Sequence, residues 1–91
     1  MRISVIGTGY VGLVTGACFA EMGNTVWCID KDKQRLSELK KGRIPFFEPM
    51  LDNLVKSSFK DKRLIFTNDY KIPVSNSEVV FICVGTPPME D

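Results

Sequence analysis

Residues 2–6, RISVI, are followed directly by Gly7-Thr8-Gly9-Tyr10-Val11-Gly12, and this stretch decides the fold. The first five residues form a short apolar run that ends abruptly at a glycine, which predicts a buried strand. The next six have the pattern G-x-G-x-x-G and open a helix-compatible segment that ends at Gly23 and Asn24. A strand, a glycine-rich turn and a helix in immediate succession predict a dinucleotide-binding site.

Each glycine of the motif has a separate physical role. Gly7 permits a tight turn, Gly9 lets the backbone approach a pyrophosphate, and Gly12 allows the helix to pack closely. The pattern is short, so a bare strand-to-helix turn with packing glycines and no ligand is the alternative. Because the motif lies between a predicted strand and a predicted helix, all six of its residues are candidate cofactor-binding residues.

Three later segments also predict strands. Thr25–Ile29 is β-branched and aromatic, and Leu64–Thr67 and Glu78–Val84 are similar apolar runs. The segments between them predict helices: one capped by Asp32, one opened by Pro49, and a short one within residues 70–77. Apolar strands that alternate with helices predict an α/β fold, a Rossmann-type parallel sheet with strand order 3-2-1-4 and helices on both faces, which is the first half of a doubly wound fold.

Asp30 stands at the end of the second predicted strand, about 20 residues after Gly12, where a carboxylate can accept hydrogen bonds from the adenosine ribose. An anion there repels a 2′-phosphate, which favours NAD over NADP. A solvated turn residue is the alternative for Asp30. Lys31 and Arg35 complicate the argument, because a cation could instead attract a 2′-phosphate. Arg35 can lie near the adenine or be solvated.

Gly85 and Thr86 follow the last predicted strand. In open α/β sheets, ligands bind beyond the carboxyl ends of the strands where the strand order reverses. With order 3-2-1-4, that point falls between the first and fourth strands, beside the glycine-rich turn. The Gly85 backbone or the Thr86 hydroxyl could therefore contact the cofactor, and a plain rigid turn is the alternative.

Composition removes several classes of function. The 91 residues are 44% hydrophobic with a net charge of +1, so no basic surface predicts nucleic-acid or anionic-membrane binding. Histidine is absent, which excludes histidine-based catalysis and histidine-ligated zinc, and we expect no metal site. Three cysteines with apolar neighbours predict buried, unreactive, reduced thiols. With no apolar run long enough to cross a membrane and no cleavage site, we expect a cytoplasmic protein.

The sequence resembles a known family over essentially its whole length. The matching segments are MRISVIGTGYVGLVTGACFAEMG, VWCIDKD, IPFFEP and FICVGTPPMED. They are similar to the amino-terminal NAD-binding domain of the UDP-glucose/GDP-mannose dehydrogenases, and the last segment is more like the UDP-glucose branch. The resemblance implies that residues 7–12 hold the pyrophosphate of NAD, Asp30 the ribose and Arg35 the adenosine end, and that Thr86 contacts the cofactor.

The resemblance also implies what this chain lacks. Members of the family oxidise a nucleotide sugar with two NAD on a catalytic cysteine in a GFGGxCFPKD-like segment, and nothing similar occurs here. Met50 stands where members of the family usually have a glycine. Residues 71–76 stand where members of the family have a more regular helix. We expect residues 1–91 to be an NAD-binding domain without catalytic residues, part of a longer enzyme that takes a UDP-sugar and could be a homo-oligomer. A stand-alone NAD- or NADH-sensing module and the cofactor domain of another two-domain dehydrogenase are the alternatives.

Overall fold

The computed structural model describes residues 1–44 and 49–84. Its strands form one parallel sheet in the order β3-β2-β1-β4, which confirms the predicted α/β class and topology. The strands are β1 (Arg2–Ile6), β2 (Thr25–Ile29), β3 (Leu64–Thr67) and β4 (Val79–Ile82). The helices are α1 (Tyr10–Glu21), α2 (Lys33–Lys40), α3 (Pro49–Lys60) and α4 (Lys71–Asn76). Among these described helices, none is long and apolar enough to span a membrane.

The main core lies between the sheet and helices α1 and α3. Ile3 and Val5 of β1 pair in register with Val26 and Cys28 of β2, and all four side chains are buried. α1 lies close to this face because of Gly16, where an added Cβ would stand 2.7 Å from the Cys28 sulfur. This close approach places the amino terminus of α1 directly above the end of β1.

The opposite face of the sheet is covered less completely. The buried hydroxyl of Ser4 in β1 is 2.5 Å from the hydroxyl of Ser77, which also donates to the Pro73 carbonyl. These bonds hold the short helix α4 against this face. Helices on both faces are therefore confirmed. β4 is shorter than predicted and lies at the edge of the described sheet, where Ile82 is 73% exposed.

Three helices end in the same hydrogen-bonded turn, but with different residues at its left-handed position. After α1 and α2 this position is Gly23 and Gly42, and after α3 it is Lys62, with φ of 62°. The N–H of Arg63, the next residue, donates to the Ser58 carbonyl as a Schellman turn requires. A side chain is strained in this conformation.

We therefore expect Lys62→Gly to stabilise the chain by about 0.5–1 kcal/mol, since relief of the strain exceeds the extra entropy of glycine in the unfolded state. Thermal unfolding measures the effect as a higher Tm. Gly23→Ala is the matched control: its φ is +98° and no described atom lies within 4 Å of the added Cβ, so it should lower the Tm by strain alone. An unchanged Tm in Lys62→Gly would contradict this account.

The prediction that all three cysteines are buried is wrong, because Cys18 is exposed. All three are free thiols, and Cys28 is buried, which raises its pKa to about 12. Cys83 is only partly buried, and Cys18 is exposed. Its neighbours along the chain are apolar, but in a helix they lie on other faces; Cys18 is two residues from both Gly16 and Ala20 and so points away from the sheet.

Candidate dinucleotide site

A cleft of about 300 Å³ opens at the carboxyl ends of β1 and β2. It lies beside the first and fourth strands, where the strand order reverses, the place at which ligands bind in open α/β sheets. We call it the nucleotide cleft. It is lined by Gly7, Thr8, Gly9, Ile29, Asp30, Lys31, Arg35, Tyr70, Cys83 and Val84. The candidates Gly7, Thr8, Gly9, Asp30 and Arg35 are thus brought together.

Gly7 and Gly12 are required by the fold itself. Gly7 has φ of +104°, and its N–H donates to the Ile29 carbonyl at 2.7 Å, which ties the end of β1 to the end of β2. A Cβ added to Gly12 would stand 1.9 Å from the Gly7 carbonyl oxygen. The turn therefore tolerates no side chain at Gly12, with or without a ligand.

Gly9 is different, because the fold does not require a glycine there. Its φ of −69° and ψ of −169° suit any residue, and no described atom lies within 4 Å of an added Cβ. Gly9 is also the N-cap of α1, so it offers no side-chain acceptor to the helix amides. The missing side chain leaves an open approach to the helix amino terminus, as a pyrophosphate requires.

The first turn of α1 supplies donors and no competing anion. Its first intrahelical bond runs from the Leu13 N–H to the Gly9 carbonyl, and it contains no acidic residue. The backbone amides of this turn lie at the positive end of the helix dipole. Tyr10 and Val11 are exposed here, and Gly12 is buried. This part of the cleft is suited to a phosphate group.

Asp30 is buried at the other side of the cleft and accepts four hydrogen bonds. Its Oδ2 accepts the Thr8 N–H at 3.0 Å, the Thr8 hydroxyl at 2.5 Å and an Arg35 guanidinium N–H at 3.3 Å. Its Oδ1 accepts the Asp32 N–H at 2.9 Å. Each carboxylate oxygen has about two acceptor positions, so the protein's own donors fill those of Oδ2, while Oδ1 keeps one position for a further donor.

These contacts decide the charge of Asp30. Burial raises its pKa, but the Thr8 hydroxyl, the amides of Asp32 and Thr8 and the Arg35 guanidinium together hold the pKa below its ordinary value of 3.8. Asp30 is therefore an anion at neutral pH. A carboxyl whose pKa falls on folding stabilises the folded chain above its ordinary pKa, and that contribution is lost as the pH falls through the lowered value.

Arg35 belongs to the rim of the cleft. Its side chain is 43% exposed and pairs with Asp30, whose side chain is 11% exposed. The sequence left two alternatives open for Arg35, contact with the adenine or exposure to solvent. It gave no indication that Tyr70 and Cys83 line the cleft. Their position just after β3 and β4 was the available signal, since both strands end at the same edge of the sheet. The candidates Gly85 and Thr86 lie outside the described residues, as does most of the Ile44–Pro49 loop.

Comparison with known proteins identifies the family. The model of the UDP-glucose/GDP-mannose dehydrogenase family, NAD binding domain, matches residues 1–91. The chain belongs to this family. It is the family's NAD-binding domain, and NAD is its cofactor. The resemblance seen in the sequence is confirmed, and the alternative of a separate regulatory module is not supported.

Several curated relatives are UDP-glucose 6-dehydrogenases. The chain is 59% identical over 87 residues to that of Rhizobium meliloti strain 1021, which covers 96% of this chain and 20% of the relative. It is 50% identical over all 91 residues to that of Pseudomonas aeruginosa, again covering 20% of the relative. The chain thus spans about a fifth of the length of the curated relatives it matches.

Solved structures agree with the fold. GDP-mannose dehydrogenase from Pseudomonas aeruginosa, crystallised as a ternary complex, superposes with a TM-score of 0.91 at 39% identity, covering 99% of this chain and 21% of that one. A UDP-glucose dehydrogenase from Pyrobaculum islandicum gives a TM-score of 0.88 at 34% identity, with coverage of 99% and 21%. A GDP-mannose dehydrogenase and a UDP-glucose dehydrogenase therefore both contain a domain of this fold.

Proposed function

We propose that residues 1–91 hold NAD in the nucleotide cleft as the amino-terminal domain of a UDP-glucose 6-dehydrogenase. The choice of UDP-glucose rests on the curated relatives with that name, at 59% and 50% identity. One observation carries the proposal: the open helix amino terminus at Gly9 and the ionised Asp30 line the same cleft. The first suits a pyrophosphate, and the second suits a ribose.

The residues of the chain have distinct tasks in this proposal. The amides of the first turn of α1 bind the pyrophosphate, and Gly9 leaves room for it. Asp30 accepts from the ribose hydroxyls, and Arg35 lies on the adenosine side. Gly85 and Thr86 follow β4 and would contact the cofactor beyond the described residues. NAD, when bound, accepts a hydride from the sugar, while this chain positions the cofactor and supplies no catalytic residue.

The wider setting is also part of the proposal. We take residues 1–91 as one domain of a longer enzyme, with a UDP-sugar as the partner substrate. The free cysteines fit a reducing cytoplasm. β4 is an exposed edge whose residues Val79, Val80 and Ile82 are apolar and at least 37% exposed, so further polypeptide or a second copy of the chain is expected to cover it.

The experiment is a titration of the purified chain with NAD and NADP at equal ionic strength. NAD should bind more tightly, because ionised Asp30 repels a 2′-phosphate. Asp30→Asn, which keeps the shape but removes the charge, should weaken NAD binding by about tenfold, the scale of a hydrogen bond to a charged group. Asp30→Asn should also reduce the difference between the affinities for NAD and for NADP.

The same samples are then mixed with NAD and UDP-glucose, and absorbance at 340 nm is followed. We expect binding without NADH formation, since the chain carries neither histidine nor the catalytic cysteine segment. Equal affinity for NAD and NADP in the wild-type chain would show that Lys31 and Arg35 dominate the ribose end. Sustained NADH formation would contradict the assignment of catalysis to other parts of the enzyme.

A further inference from the structure

We propose that Thr8 is a positioning residue that sets the preference for NAD by holding Asp30 in place. This inference rests on the proposed role of Asp30 at the ribose. Thr8 occupies the first variable position of the glycine motif, which the fingerprint itself leaves unrestricted. Its function here comes from a contact with a residue 22 positions later in the chain.

Thr8 is poorly placed to touch a cofactor through its side chain. The residue is 0% exposed, and its hydroxyl donates to Asp30 Oδ2. Its backbone N–H donates to the same oxygen, so this amide of the glycine-rich turn is directed at the protein rather than at a phosphate. Both polar hydrogens of Thr8 are therefore committed to one carboxylate oxygen.

The four donors to Asp30 differ in how firmly they are held. Thr8 and the Asp32 amide are fixed by the glycine-rich turn and by the start of α2. Arg35 reaches Oδ2 at 3.3 Å from a flexible side chain that is 43% exposed. Because three donors already share Oδ2, a ribose hydroxyl that binds this oxygen must replace one of them, and Arg35 is the one that yields most easily. The second position on Oδ1 is open to another ribose hydroxyl.

Thr8 then fixes both the position and the charge of the carboxylate during this exchange. With Arg35 displaced, the Thr8 hydroxyl and amide still hold Oδ2, and the carboxylate stays ionised against the ribose. Without the hydroxyl, Oδ2 keeps only the Thr8 amide and Arg35, so the carboxylate is held less firmly and turns more readily toward Arg35. NAD would then meet a less well placed acceptor, while a 2′-phosphate would meet less repulsion.

The test compares Thr8→Val, which removes the hydroxyl and keeps the shape, with Thr8→Ser, which keeps the hydroxyl. We expect Thr8→Val to weaken NAD binding about five- to tenfold and NADP binding by less than about twofold, the scale of one hydrogen bond to a charged group. Thr8→Ser should retain the wild-type ratio of the two affinities. Thr8→Ala serves in place of Thr8→Val if the valine variant does not fold.

A second measurement separates positioning from general loosening of the structure. The pKa of Asp30, followed by carboxyl ¹³C NMR in the absence of cofactor, should rise in Thr8→Val and stay near the wild-type value in Thr8→Ser. The charged and titratable groups facing Asp30 in the cleft are Lys31, Arg35, Tyr70 and Cys83, and all of them are unchanged in both variants.

The outcomes are distinguishable from failure of the proposed function. If the wild-type chain binds neither dinucleotide, the assignment of the cleft is wrong. If the wild-type chain prefers NAD and Asp30→Asn loses that preference, but Thr8→Val retains both the preference and the Asp30 pKa, only the role of Thr8 is overturned. If Thr8→Val weakens NAD and NADP equally, Thr8 is structural and does not determine specificity.

Discussion

Gly9→Ala is expected to weaken NAD binding about 100-fold or more while the chain remains folded and about as stable as before. The added methyl group enters the space through which a pyrophosphate reaches the first turn of α1. Forcing a methyl group into a filled site costs about 1–3 kcal/mol, and separation of the phosphate from the helix amides adds to that loss. A loss of 100-fold corresponds to about 2.7 kcal/mol.

Stability should hardly change, because two small effects oppose each other. Alanine is a poorer N-cap than glycine, which costs part of a kcal/mol. Alanine also has less conformational freedom than glycine in the unfolded chain. This stabilises the folded chain by a similar free energy, because alanine can adopt the φ of −69° found here. No described atom lies within 4 Å of the new methyl group, so the fold adds no steric penalty.

Calorimetric titration with NAD and thermal unfolding of the same samples measure the two effects separately. Gly23→Ala is the control, since it changes a glycine at the opposite end of α1 and should lower Tm with little effect on affinity. NAD binding by Gly9→Ala at the wild-type affinity would show that the cofactor does not approach the helix at Gly9. A large fall in its Tm would show that the fold itself requires this glycine.

Much of the fold was predictable because local signals agreed with one another. A strand that ends at Gly7, a helix that begins at Tyr10 and an apolar segment from Thr25 each have their own pattern, and short connections leave few topologies. The Asp32 cap of α2 and the start of α3 at Pro49 were predicted for the same reason. These signals depend on neighbours within a few residues, which is where sequence patterns carry the most information.

The details of the site depend on contacts that no local pattern records. The spacing from Gly12 predicts an acid at the end of β2, but the bond from Thr8 to Asp30 joins residues 22 positions apart, in the turns that follow two different strands. The path of the Arg35 side chain could not be predicted either, because several rotamers reach adenine, solvent or Asp30 from the same helix position.

The misplaced cysteine has its cause in helix geometry. Apolar flanks indicate burial in a strand, but in α1 the stripe of Gly12, Gly16 and Ala20 defines the inner face and excludes Cys18. The exposed edge at β4, by contrast, agrees with the predicted strand order, and the described residues provide a neighbouring strand on only one side, β1. The error at Cys18 concerns which surface a residue meets, rather than which element it forms.

Gly12→Ala is expected to destabilise the chain by about 3 kcal/mol or more, a large part of the 5–15 kcal/mol typical of a folded domain. The added Cβ would stand 1.9 Å from the Gly7 carbonyl oxygen and 2.9 Å from its carbon, both backbone atoms of the turn. No rotamer change relieves this overlap. Helix α1 would have to move away from β1, which opens the core and the nucleotide cleft together.

Gly16→Ala provides the comparison that tests this reasoning. Its Cβ would stand 2.7 Å from the Cys28 sulfur, and its next contacts, at 3.5 and 3.6 Å, are ordinary. Cys28→Ala removes that sulfur, so the double variant should be more stable than the two single effects predict. Cys83→Ala should not rescue Gly12→Ala, because alanine keeps the Cβ that lies at 3.3 Å and the two closest contacts are backbone atoms of Gly7. Denaturant unfolding of the two double-mutant cycles measures both couplings. Equal rescue in the two cycles, or a Gly12→Ala chain as stable as the wild type, would mean that the turn can move away from α1 and that the motif does not fix their separation.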